Sequence, residues 1–483
     1  MQSTRSWTSN HVKILMVASE ATPFCKTGGL ADVIGSLPAA LARQGEQVAV
    51  VLPGYRENNY AGQLREVYRN LWIPLGGGMP VDIFETVERG VTFYIVFCPT
   101  LYDRDGLYGT GGQDFPDNAF RFAVFCRAAL GIARNVFRPE IIHCHDWQSA
   151  LLPVYLKRTF QGDPTYLGAR TLFTIHNLGY QGRFPPSVLP EIGLDPGVFT
   201  PEIMEFYGQV VLLKGGIHYS DAVSTVSRGY AREIQTPELG FGLDTFIRTH
   251  AKMLNGIVNG VDYDEWSPEV DQHIAAKYSA GDLSGKNQCK HSLLDDYGLP
   301  AENMHRPLIG IVSRFASQKG FDLISEIAPK LAGLDLAMTI LGSGEQQYQD
   351  LFHYLSSTHP NRFGVRIGYD NALAHRIEAG ADMFLMPSRY EPCGLNQIYS
   401  LRYGTIPIVR ATGGLDDTID EETGFKFRDY TGAALLDAIR AALAAFQDQK
   451  LWRAMMVRAM SRDFSWNASA AEYLALYRQI LAG

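Results

Sequence analysis

Two successive series of short apolar, β-branched runs, separated by amphipathic helical stretches, constrain this chain more than any other feature. The first series is Val12–Ala18, Gln47–Leu52, Val91–Cys98, Ile141–Cys144 and Thr171–Ile175. The second is Leu308–Val312, Leu336–Leu341, Val365–Ile367, Met383–Met386 and Ile406–Val409. Runs without in–out alternation read as strands buried on both faces, which requires parallel sheets covered by helices. Helical patterns between them include Leu30–Arg43, Ala119–Arg134, Leu323–Leu331 and Leu395–Tyr403. Two such series predict two doubly wound, Rossmann-like α/β domains. A chain of 483 residues has the length for this. The break is expected near His250–Asp262, giving domains over residues 1–252 and 253–465, with no Pro/Ser-rich linker between them. Beyond a short break at Phe464–Trp466, Leu474, Tyr477, Ile480 and Leu481 recur at helical spacing. Residues 466–483 are therefore expected to form a terminal helix with one apolar stripe.

Composition removes several function classes. Lys and Arg total 43 against 51 Asp and Glu, a net charge of −8. That balance argues against a nucleic acid or an anionic membrane as the main partner, but leaves room for a local basic pocket. No stretch approaches the length of apolar sequence that spans a bilayer. Residues 1–10 are Ser/Thr-rich with Arg5 and no acid, a faint transit-peptide flavour in a segment too short to be one. The six cysteines contain no CxxC pair. A disulfide framework is not expected, and the cytoplasm is the expected compartment.

Four constellations follow predicted strands. Lys26-Thr27-Gly28-Gly29-Leu30-Ala31-Asp32 follows the first strand and opens a helix. Paired glycines serve a plain βα turn, and they also let backbone N–H groups approach an anion at a helix N-terminus. Lys26 beside them favours the anion site. Arg314 and Lys319 lie across one turn after the first strand of the second series, where both can reach one diphosphate. Glu391, in SRYEPCGLNQ, precedes a helix and can accept sugar hydroxyls or steady developing positive charge. Thr412-Gly413-Gly414 repeats the glycine pair and offers a second phosphate cradle. There is no GxxxxGK[ST] sequence, and Gly342-Ser343-Gly344 lacks the third glycine of a dinucleotide fingerprint.

KTGGLAD, the His143–Trp147 segment HCHDW, TIHN, SRxxxxKG, EPCGLNQ and TGGL occur here in this order. In order and distance they resemble the bacterial glycogen synthases and plant starch synthases, from Val12 almost to the end. The resemblance implies a GT-B fold: two facing Rossmann-like domains, an active site in the cleft and a terminal helix crossing back to the first domain. It implies retaining transfer of glucose from ADP-glucose to the non-reducing end of an α-1,4-glucan such as glycogen, without cofactor or metal. It further implies that Lys26, Gly28 and Gly29 meet the nucleotide sugar, with Asp32 nearby. Arg314 and Lys319 would neutralise the leaving diphosphate. Glu391 with the backbone of Cys393 and Gly394 would grip glucose hydroxyls, His176 would hold the 6-hydroxyl side, and Asp146 would sit near the acceptor or anomeric centre. Asn259 matches a position near the glucose, and Tyr102 an acceptor-side position. Tyr399 stands where many related transferases carry a second Glu for the ribose, so ribose recognition stays unassigned.

His143 and His145 flank Cys144 and, by strand alternation, share a face, but nothing else supplies a metal cluster. Cys393 reads as a backbone or packing residue rather than a nucleophile. Same-side displacement is preferred to a covalent intermediate, since Glu391 is expected beside hydroxyls; a glucosyl adduct on Glu391 or Asp146 would reverse this. A pyridoxal-phosphate-dependent glucan phosphorylase and a non-catalytic glucan-binding protein are the alternatives.

Overall fold

The computed structural model describes residues 11–60 and 62–483. The transit-peptide reading of residues 1–10 lies outside the described residues. The chain divides into two units: one comprises the residues up to Val226, Ala231–Gly260 and Trp466–Gly483, the other Ser227–Tyr230 and Val261–Ser465. Among the described residues no helix is long and apolar enough to cross a membrane.

The first unit is built on a nine-stranded sheet. Its spatial order is Asn255–Gly256, Ala222–Thr225, Arg170–Ile175, Ile141–His145, Lys13–Val17, Gln47–Pro53, Val91–Phe97, Met79–Glu88 and Arg65–Ile73. The first seven run parallel; the last two add antiparallel pairs. Ile14, Met16, Val50, Leu52 and Ile95 are wholly buried under Val33, Ile34 and Leu37 of the helix Gly29–Arg43. The antiparallel strands escape a reading based on apolar runs. Arg65–Ile73 is mostly exposed, so no continuous apolar stretch betrays it. The helix predicted from Ala119 begins at Asn118 and passes at Ala133–Phe137 into a π-turn, closed by Arg138 in the left-handed region.

The terminal helix, Trp466–Ala482, buries Trp466, Tyr473, Leu474, Tyr477 and Ile480 against this core. At about 1.5–3 kcal/mol per large apolar side chain, packing rather than propensity holds it there. Tyr477 adds a polar clasp: its hydroxyl lies 2.8 Å from His143 Nδ1 on the strand Ile141–His145. Tyr477→Phe leaves that buried nitrogen without its partner. Denaturant unfolding should show a loss of about 1–3 kcal/mol.

The second unit carries a six-stranded parallel sheet ordered Phe363–Ile367, Ala337–Gly344, Leu308–Phe315, Met383–Met386, Ile406–Arg410 and Phe425–Phe427. Ile309, Ile311, Met338, Ile340 and Ile408 form its core. The strands Leu308–Phe315 and Ala337–Gly344 outrun their predicted ends, pairing Arg314 with Ser343 and Phe315 with Gly344. Gly342-Ser343-Gly344 is thus the end of a strand. A Cβ at Gly342 would sit 1.9 Å from the Ser313 carbonyl, so close strand packing accounts for that glycine.

Candidate active site

Each sheet has a point where the chain reverses its direction of growth. In the first, Lys13–Val17 lies between Gln47–Pro53 and Ile141–His145; in the second, Leu308–Phe315 lies between Ala337–Gly344 and Met383–Met386. Loops leaving the carboxyl ends of such strands diverge to opposite faces and open a crevice. The predicted residues fall at these two places: Lys26 to Asp32 and Asp146 in the first unit, Arg314, Lys319 and Glu391 in the second.

In the second unit a cavity of about 340 Å³ is lined by Arg314, Lys319, Gly342, Ser343, Tyr369, Ser388, Glu391 and Gly394, among others. Lys319 Nζ lies 2.6 Å from Glu391 Oε2, and the Ser388 hydroxyl donates to the same oxygen at 3.1 Å. Their side chains are only 20% and 9% exposed, so the pair is largely withdrawn from water. The guanidinium of Arg314, at an exposed strand end, has no carboxylate partner among the described residues. An unpaired guanidinium beside a lysine on a cavity wall is a site for an anion. Two bonds fix the loops carrying the pair: Arg389 N–H donates to Gln318 O (2.8 Å) and Gln318 Nε2 to Tyr390 O (3.2 Å). Asn396 Nδ2 donates to Val312 O (2.9 Å), tying the helix after Glu391 to the strand before Arg314.

The first unit places a different set together. Lys26 Nζ pairs with Asp32 Oδ1 at 2.7 Å. Glu20, 3% exposed, accepts from the N–H and the hydroxyl of Thr27, the latter at 2.8 Å. Burial pushes the Glu20 carboxyl above its ordinary range, the Thr27 bonds opposing it. Asp32 is likewise raised by burial, opposed by Lys26. Gly28 is extended, at φ −155. A Cβ on Gly28 would come no closer than 3.9 Å to another atom, Glu20 Oε1, and one on Gly29 would meet nothing within 4 Å. Nothing in the fold therefore requires glycine at either position; the missing side chains keep space open in front of a helix N-terminus. Gly28→Ala should unfold like the parent, within about 0.5–1 kcal/mol, while binding of any anion seated at this helix N-terminus weakens.

Asp146 closes the strand Ile141–His145 with φ 56, left-handed for a non-glycine residue. Its Oδ1 accepts from His176 N–H at 2.7 Å, and the carboxylate also accepts from Asn177 N–H. Burial still prevails and lifts Asp146 from 3.8 to about 7. With the folded value above the ordinary one, the fold holds the protonated form more easily. Its stability contribution is present below about pH 4 and is lost as pH rises towards about 7. Asp146→Asn should therefore gain stability relative to the parent between those limits and hold the gain above them. Thermal unfolding at about pH 5 and about pH 8 checks this: a gain larger at the lower pH would contradict it.

The remaining predicted residues are placed as follows. His176, 9% exposed, and Asn259, 5% exposed, belong to the first unit, and Asn259 Oδ1 is a buried acceptor without a partner among the described residues. Tyr102 departs from its expected place. It is fully buried, its hydroxyl donating to Arg121 O at 2.8 Å, and offers no exposed face to a glucan. The glycine pair at Gly413-Gly414 also works differently from a phosphate cradle. Gly414 N–H donates to Glu391 O (3.1 Å), and a Cβ there would lie 2.1 Å from Cys393 O. Thr412, Gly413 and Gly414 are buried, and they buttress the loop of Glu391. Cys393 is 5% exposed, and its carbonyl accepts from Gln397 Nε2 at 3.0 Å. Gly394 lines the cavity at φ +72. His143 and His145 do share a face, with ring centroids 3.9 Å apart, and both are bonded to protein side chains. Sequence reasoning gave no role to Glu20, Ser388 and Tyr369, and weighed His145 only as a metal ligand. Only Glu20 gave a signal, an acid directly after an apolar strand and ahead of a glycine pair.

A family model for the starch synthase catalytic domain matches residues 13–249, and one for glycosyl transferases group 1 matches residues 300–454. A glycogen synthase of Koribacter versatilis (strain Ellin345) is 52% identical, covering 96% of this chain and 98% of its own. One from Geotalea daltonii is 44% identical, covering 98% and 99%. The chain belongs to the glycogen and starch synthase family. It is a glycosyltransferase. The catalytic domain of starch synthase IV from Arabidopsis thaliana, solved with ADP and acarbose, superposes with a TM-score of 0.89 at 34% identity, covering 98% of this chain and 100% of that one. A sucrose-phosphate synthase from Thermosynechococcus elongatus reaches 0.58 at 18% identity and shares the fold, which is GT-B. Synthase relatives over nearly the whole length leave the phosphorylase and non-catalytic readings without support.

Proposed function

We propose that this chain transfers glucose from ADP-glucose to the non-reducing end of an α-1,4-glucan, glycogen, with retention of configuration. The observation that carries the reading is the Lys319–Glu391 pair on the wall of a cavity that also holds the unpaired Arg314. The cavity suits the diphosphate end of a nucleotide sugar: two cations face it at a switch point of the sheet. Tyr369, 82% exposed on the same lining, offers an aromatic face for the base.

As the bond between glucose C1 and the diphosphate oxygen breaks, negative charge grows on the diphosphate. Arg314 and Lys319 are already in place to stabilise it, without reorganisation. Positive charge grows at the sugar, and the buried carboxylate of Glu391 stands ready to hold its hydroxyls. The acceptor 4-hydroxyl forms the new bond to C1 on the face the diphosphate leaves. Its proton passes to the departing phosphate oxygen, so ADP and the lengthened glucan are the products. Lys26, Gly28, Gly29, Asp32, Asp146, His176 and Asn259 serve the sugar and the acceptor in this reading. Tyr102 serves from beneath, as support for the segment around it. The described cysteines are unpaired and buried, which accords with a cytoplasmic enzyme.

The test is a donor comparison with glycogen as acceptor. ADP-glucose should be used well ahead of UDP-glucose, with one ADP released per glucose incorporated. Equal or preferred use of UDP-glucose, or ADP release without incorporation, would overturn the reading.

A further inference from the structure

Three imidazoles sit side by side in the first unit, and only one of them belongs to the expected ligand set. His143 and His145 are wholly buried, and His176 keeps 9% of its surface. His145 Nδ1 lies 3.0 Å from His176 Nε2. His145 Nε2 is buried and has no hydrogen-bond partner among the described residues. The His145 ring cannot easily turn. It lies against His143, ring centroids 3.9 Å apart and planes tilted by 36°, and His143 is pinned at both nitrogens, by the Tyr477 hydroxyl (2.8 Å) and the Thr174 hydroxyl (2.6 Å). Thr174 is in turn 2.6 Å from the Ser224 hydroxyl.

A neutral imidazole carries one proton, and burial keeps these rings neutral: it holds His143 and His145 well below the ordinary histidine range and lowers His176 to about 3. On His145 the proton can sit in two places. On Nε2 it would leave a buried N–H with no acceptor. On Nδ1 it makes the bond to His176, and only a lone pair goes unused. Orphaned buried N–H groups are rarer than under-used acceptors. The proton therefore belongs on Nδ1, and His176 Nε2 must accept. That leaves the His176 proton on its other nitrogen. We propose that His145 is a positioning residue that fixes the tautomer of His176, so that His176 offers a neutral N–H donor at Nδ1 to its ligand. Such a donor addresses a hydroxyl or phosphate oxygen and keeps its character across the working pH range. That the ligand is a glucose hydroxyl of the nucleotide sugar rests on the proposed function; the tautomer does not.

The full-length enzyme labelled with ¹⁵N-histidine, without any donor, gives the direct test. Long-range ¹H–¹⁵N correlation distinguishes protonated from bare ring nitrogens, and His176→Asn identifies the resonances. His176 should show a protonated Nδ1 and a bare Nε2; the opposite pattern overturns the proposal whatever the enzyme's substrate. His145→Ala should raise KM for ADP-glucose about tenfold, with little change in kcat. His145→Asn, whose amide can still donate, should recover most of that loss. Equal defects in both variants, with parental unfolding midpoints, would show a merely structural role and count against the proposal. Should His145→Ala not fold, the spectrum of the unmodified enzyme still decides.

Discussion

Lys319→Ala should lower kcat by about 10²–10³-fold or more, the scale set by removing one preorganised charge from a developing anion. It should do more damage than Arg314→Ala, for a reason visible in the geometry. Lys319 both faces the cavity and neutralises Glu391 at 2.6 Å. Without it, Glu391 retains the Ser388 hydroxyl as a side-chain partner and becomes a buried negative charge facing an incoming diphosphate. Arg314 has no such second duty. Its removal should cost catalysis on a similar scale per charge while leaving stability within about 0.5 kcal/mol. The two losses should not add, because both cations act on one leaving group. Steady-state ADP release from the single and double variants measures this. Parental rates in either single variant would show the assignments to be misplaced.

Gly320→Ala carries the second large effect. Gly320 has φ +76, and a Cβ there would lie 1.9 Å from the Pro387 carbonyl oxygen. The left-handed conformation alone costs a non-glycine residue about 1–2 kcal/mol. The overlap is with backbone, which cannot swing aside, so either the turn holding Lys319 or the loop holding Glu391 must move. We expect a loss of at least about 2–3 kcal/mol in urea unfolding and a fall in kcat comparable to that of Lys319→Ala. Gly298→Ala is the control. Gly298 shares the left-handed conformation, at φ +64, but a Cβ would meet nothing within 4 Å. It should lose only the conformational cost and keep its activity. Equal, small effects at both positions would mean that the close approach at Pro387 is not needed.

The parallel strands were legible because burial on both faces writes itself as an uninterrupted apolar run, as in Gln47–Pro53. The exposed antiparallel strand Arg65–Ile73 writes no such run. The loops with charge after a strand were legible for a similar reason. Arg314, Lys319 and Glu391 break an apolar pattern at the place where parallel sheets bind ligands, and the structure sets all three on one cavity. Glycine pairs were more ambiguous, because two different needs produce the same letters. At Gly28-Gly29 the space in front of the backbone is open; at Gly414, in the second pair, it is filled by the backbone of Cys393. Only what packs against each glycine in the folded chain separates these cases. Tyr102 shows the same limit, since a tyrosine matched by motif can point inward as easily as outward. His145 could be weighed from sequence only as half of a metal pair, because its interest is a hydrogen bond to His176, just beyond the end of the neighbouring strand.

In the proposed reaction the second unit's cavity receives the diphosphate of the donor on Arg314 and Lys319. A crystal structure of this enzyme with ADP tests it most directly. The diphosphate oxygens should lie within hydrogen-bonding distance of the Lys319 ammonium and the Arg314 guanidinium, about 2.7–3.2 Å. ADP bound elsewhere, or bound in the cavity with its phosphates turned away from both cations, would contradict the account.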